Sequence, residues 1–246
     1  MIGRSGNPTL NDKTFEQVQG HYGPDAMTLE GTVNKSFITL AILLGAAFCT
    51  WAMYFRGENV IPYAIGGAIG GLILSLIISF KPSASRVLVP VYAALEGLFL
   101  GALSANYEAK FDGITLQAAM LTIAVFLGLL LAYKSRLIRA TENFKLGVVA
   151  ATAGIAIVYL INFVLSFFGM NVPYLHDNGL IGIGISLIIV AVAALNLVLD
   201  FDFIESGVQQ GAPKYMEWYG AFGLLVTLVW LYIEMLRLLA KLRSRD

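Results

Sequence analysis

GLIGIGISLIIVAVAALNLVL, residues 179–199, runs directly into DFDFIE, residues 200–205. The first stretch carries no charge over twenty-one residues. About 20 apolar residues in a helix cross a hydrocarbon core of about 30 Å. The second stretch places three carboxylates, Asp200, Asp202 and Glu205, at the end of that span. Ionised groups beside hydrocarbon are costly, so acids at a span end mark a candidate functional site.

Working outward, six more stretches read the same way: 36–55, 61–80, 88–106, 114–134, 146–168 and 219–240. Isolated strands cannot cross lipid without leaving backbone groups unpaired, so each is expected to be a helix. The composition agrees. The chain is 246 residues, 58% hydrophobic and 13% charged, with mean hydropathy +0.76. Soluble domains carry roughly a quarter charged residues. The expected fold is an all-α membrane protein of seven transmembrane helices. It divides into a polar cytoplasmic segment at 1–35, a seven-helix domain at 36–240 and a basic tail at 241–246. Residues 1–35 lack the basic region and apolar core of a cleaved signal peptide, so the first span is expected to act as the targeting signal. The lipid bilayer is the first partner implied. A formal net charge of zero gives no reason to expect nucleic acid. Cys49 is the lone cysteine, so no intramolecular disulfide can form.

The connection at 200–218 is the longest, and its acidic start is able to continue the sixth helix until Gly207, Gly211 and Pro213. Orientation follows Lys and Arg in short loops. Lys81, Arg86, Lys134, Arg136, Arg139, Lys145 and Lys214 follow even-numbered spans, whereas Arg56 and Lys110 follow odd ones. This predicts a cytoplasmic N-terminus. Arg237, Lys241, Arg243 and Arg245 then fall on the opposite side, in conflict with the loops.

Small residues at four-residue spacing let helices approach closely in lipid. Gly66 and Gly70, Gly67 and Gly71, Gly97 and Gly101, and the nearby Gly220 and Gly223 read as helix-packing positions. A phosphate loop is not supported at Gly66, since no strand precedes it and no Lys-Ser/Thr follows.

Helical geometry sorts the acids. Asp200 and Asp202 point to nearly opposite sides, while Asn196 shares a face with Asp200, and Glu205 with Asp202. Two readings stand. All three acids are solvated helix-end residues, or one aspartate is enclosed and pairs with another span. Glu96 lies near mid-membrane in span three, as a hydrogen-bonded packing residue or as a point on a proton or cation path. Glu234 precedes Arg237 by three residues and forms a local helix pair or joins such a path. Carboxylates are the ligands a hard cation such as calcium requires, which makes Asp200 and Asp202 the candidate calcium ligands and calcium the one candidate cofactor ion. His21 and His176 have no partner at zinc-ligand spacing. No Gly-x-Ser-x-Gly elbow occurs. No lysine lies within the last span before Lys241, which argues against a retinal protein. Enzyme activity is not expected.

RSGNPTL at 4–10, MTLEGTVNK at 27–35, EGLFLG at 96–101 and NLVLDFDFIE at 196–205 resemble a bacterial branch of the Bax inhibitor-1/YccA family, as does the aromatic, Arg-containing last span. The resemblance covers nearly the whole chain. It implies a central seventh helix wrapped by six others, a bacterial cytoplasmic membrane, and a pH-sensitive calcium leak. It also implies an aspartate near the end of span six that pairs with one in span seven. Asp200 or Asp202 matches the first. The second has no counterpart: counting back from Arg237, its position falls near Thr227, with Glu217 and Glu234 the acids in that neighbourhood. The function expected is a cation leak, calcium being the ion, gated by protonation at the end of span six. The alternative is a non-transporting regulator of a membrane protease or other membrane complex.

Overall fold

The computed structural model describes residues 25–170, 172–173, 175 and 177–244. The readings on residues 4–10, His21, His176 and Arg245 fall outside them. Seven helices are long and apolar enough to cross a membrane: α1 (Leu29–Phe55), α2 (Ile61–Phe80), α3 (Ser85–Glu108), α4 (Ile114–Lys134), α5 (Glu142–Ser166), α6 (Leu180–Gln209) and α7 (Met216–Arg243). A short 3₁₀ turn, Pro82–Ala84, joins α2 to α3. Among the described residues there is no strand, only an isolated bridge between Ala26 and Pro213. The fold is that of a multi-pass integral membrane protein.

Several helices run past their apolar stretches. α1 begins at Leu29 rather than 36, because Thr28 caps it by accepting from the Gly31 N–H at 3.0 Å. α5 begins at Glu142 rather than 146, capped by Thr141. α6 continues through the acids to Gln209, which shortens the expected 200–218 connection to 210–215. Gly211 stops it: its φ of 65° is the left-handed turn that glycine takes without strain. Hydropathy marks only the part of each helix that sits in hydrocarbon. The polar overhangs are held by side-chain contacts that hydropathy does not see.

α7 is the most buried helix, with 61% of its apolar stretch inside protein against 6% for α5. It packs on α1, α3, α4 and α6, while α1 and α2 both pack on α3. Glycines explain the closest approaches. A Cβ on Gly97 or Gly101 would lie 2.3 Å from the Leu43 carbonyl or 2.1 Å from the Ala47 carbonyl, both in α1. One on Gly67 would lie 2.4 Å from the Leu95 carbonyl of α3, and one on Gly70 2.9 Å from the Leu95 side chain. Gly220 faces Ile204 of α6 and Thr32 of α1, each at 3.2 Å. Gly66 is different. A Cβ there meets nothing within 4 Å, so the α2 contact is made by Gly67, Gly70 and Gly71. The Gly66–Gly70 pair does not share one packed face.

Candidate functional site

The end of α6 separates its acids as a 100° step per residue requires. Asp200 is fully buried. It lies one turn before Ile204, whose Cγ1 sits over Gly220, so it shares the side of α6 turned towards α7. Asn196, one turn earlier, is also buried, and its Nδ2 donates to Thr152 Oγ1 of α5 at 2.8 Å.

Asp202 and Glu205 turn the other way, to the start of α5 and the end of α4. Lys145 Nζ lies 2.7 Å from Asp202 Oδ2 and 3.7 Å from Glu142. The lysine is 7% exposed, so its amine depends on that carboxylate. The Tyr133 hydroxyl donates to Glu205 and lies 3.5 Å from Asp202 Oδ1. Arg136 closes the group at 2.9 Å from Glu205, from a left-handed turn just past α4 with φ 60°. This network joins α4, α5 and α6 at one end of the bundle.

The expected calcium pair is therefore not formed. Asp200 and Asp202 diverge, and Asp202 is held by a lysine. Among the described residues no three of His, Cys, Asp and Glu come together to hold a metal ion.

The other predicted acids lie apart. Glu96 is half-buried, hydrogen-bonded to Tyr92 of its own helix, and 3.1 Å from where a Cβ of Gly71 would stand. Glu234 is 2% exposed. Its Oε1 accepts from Arg237 Nη1 and from the Tyr159 hydroxyl of α5, both at 2.9 Å. Arg237 also donates to Tyr159, and its guanidinium lies over that ring at 5.2 Å. The local helix pair is thus present and extends to α5. Further along α7, Lys241 Nζ donates to the carbonyls of Leu175 and Gly182 at 2.7 and 2.9 Å, and Arg243 binds the Asp112 carbonyl and Gln117. Of the charges that opposed the loop-derived orientation, Arg237, Lys241 and Arg243 are each committed to a neighbour.

Residues 7–244 match a family model described as Bax inhibitor 1 like. The chain belongs to the Bax inhibitor 1 like family. No curated protein and no solved structure matches it.

In this Bax inhibitor 1 like protein the entry motif at 27–35 has a structural role that sequence reasoning missed. It holds Glu217, in the first turn of α7 and fully buried. Glu217 Oε1 accepts from the Thr28 N–H at 2.9 Å and the Thr28 hydroxyl at 2.7 Å. Lys214 lies 2.8 Å away, and Lys35 pairs with Oε2. Gly31 leaves the necessary space: a Cβ there would stand 2.1 Å from Oε1. The Met27 N–H to Ala212 and Lys214 N–H to Asp25 hydrogen bonds tie the same segments through the backbone. Thr28, Gly31 and Lys35 share one face of α1 at helical spacing. That small, hydroxyl and basic stripe was the available signal, but nothing in it names an acid 182 residues away.

Proposed function

We propose that this protein is a pH-sensitive cation leak, with calcium as the permeant ion and Asp200 as the residue whose protonation changes the conducting state. The observation that carries this reading is the enclosure of Asp200. Its neighbours Asp202 and Glu205 are held at the bundle end by Lys145, Tyr133 and Arg136. One carboxylate thus sits inside, against the most buried helix, with a polar network close to it in sequence. Taking up a proton removes a unit charge from an interior contact between α6 and α7. Interior electrostatics are weakly screened, so such a change acts strongly on helix packing. Moving a closed–open balance from 1:99 to 99:1 takes about 5.5 kcal/mol. Calcium is the cargo of this scheme rather than a resident ion. The seventh helix is the fixed element against which α6 moves.

The test is calcium flux from liposomes holding purified protein, measured across pH. Asp200→Asn is expected to flatten the pH response. Asp202→Asn is expected to keep it, at lower stability, because Lys145 loses its carboxylate. A folded Asp200→Asn protein with the wild-type profile refutes the assignment. No flux from the wild type at any pH refutes the leak itself and favours a non-transporting regulator.

A further inference from the structure

α5 and α6 enclose a groove of about 390 Å³ that neither the acid network nor the proposed leak uses. On α5 it runs from Ala151 past Gly154 to Tyr159, and Ile189 of α6 forms part of the opposite wall. Apart from Tyr159, every lining residue is hydrocarbon or glycine. The polar groups nearest its two ends in the chain are already engaged. At one end Asn196 donates to Thr152. At the other the Tyr159 hydroxyl binds Glu234 and Arg237. Along its length the groove opens outward between Val158 and Ile188, 39% and 64% exposed.

These facts select the occupant. Water needs two to four polar partners in such a site, and the walls supply none. A polar ligand would lose its hydrogen bonds to water without replacement. The eight residue steps from Ala151 to Tyr159 span about 12 Å. An extended hydrocarbon chain needs only apolar walls, and this groove supplies them along that length. The chain crosses a membrane, so lipid tails already lie against the exposed residues at the groove mouth. An empty groove would forgo the dispersion contacts its walls can make.

We propose that the α5–α6 groove is a binding site for one acyl chain of a bilayer phospholipid, entering sideways between Val158 and Ile188. The chain takes the place of side chains that α5 lacks at Ala151 and Gly154. It supports a helix that is otherwise the least buried of the seven and is tied to α6 by the Lys145–Asp202 and Thr152–Asn196 contacts.

The test uses the full chain in nanodiscs containing a phospholipid with a photoreactive group in its acyl chain, with cross-links mapped by mass spectrometry. In the wild type, labelling is expected at Ile155 and Ile189 on the groove walls. Gly154→Leu fills the groove from a position where a Cβ meets nothing within 4 Å, so the fold should tolerate it. Wall labelling is then lost, while labelling of the outward-facing Phe163 persists. If Gly154→Leu does not fold, Ala151→Leu fills the same space one turn away. Unchanged wall labelling in a folded filled variant overturns the proposal. So does wild-type labelling confined to outward residues.

Discussion

Gly31→Ala is expected to reverse the sign of its effect when Glu217 is removed. With Glu217 present, the added Cβ would stand 2.1 Å from Oε1, 2.3 Å from Cδ and 2.5 Å from Oε2. The carboxylate has to move, and it is held by the Thr28 N–H and hydroxyl, by Lys35 and by Lys214. The Lys214 side chain is 47% exposed, so that contact is screened and worth under about 1 kcal/mol. The bonds from Thr28 and Lys35 reach a fully buried carboxylate and are each worth about 1.5–3 kcal/mol. Losing one of them, with strain at the rest, gives a cost of about 2–4 kcal/mol. In the Glu217→Ala background the obstruction is gone. Alanine is then preferred over glycine within a helix by about 0.5–1 kcal/mol, so the same change stabilises. The coupling between the two sites is about 2.5–5 kcal/mol, well beyond the about 0.5 kcal/mol within which independent sites add. Denaturant unfolding of the wild type, both single variants and the double variant in mixed micelles measures it. Equal effects of Gly31→Ala in the two backgrounds would refute the reasoning and mean that Glu217 is not held against α1.

Gly97→Ala and Gly101→Ala should each cost at least about 1–3 kcal/mol, because the new Cβ meets a backbone carbonyl of α1. Gly66→Ala should be neutral or stabilising by up to about 1 kcal/mol, and the same unfolding assay separates the two outcomes. Arg237→Ala leaves Glu234 buried without its cation and should cost about 3–5 kcal/mol. Adding Glu234→Gln should recover much of that loss, and a double variant no more stable than Arg237→Ala would contradict the pairing. For orientation, a cysteine at Asn143 in a Cys49→Ala background should react with an impermeant reagent only after the membrane is opened. Labelling from outside intact cells would invert the proposed topology.

The acid cluster shows how far helical periodicity carries. Two positions apart on a helix means opposite sides, so the split between Asp200 and Asp202 was legible once 200–205 was read as helix. Which aspartate faced inward was not legible. That depended on where α7, α5 and α4 stand around α6, and the buried Lys145 that claims Asp202 figured in the sequence only as a loop charge setting orientation. The Glu234–Arg237 pair was legible for a similar local reason, three residues on one helix. Its third member, Tyr159, was not.

Seven apolar runs of about 20 residues determined the number of helices, because the thickness of the hydrocarbon core sets one length for every span. The four-residue glycine spacing marked helix surfaces able to come close, without deciding that Gly67 packs and Gly66 does not. Only the tertiary structure brought Glu217 to Thr28, Gly31 and Lys35, 182 or more positions away in the chain. The physical reason is that burial in lipid acts on each residue separately and leaves a periodic record in sequence. A buried carboxylate instead needs partners whose distance along the chain is unrestricted, and any helix able to reach it can supply them.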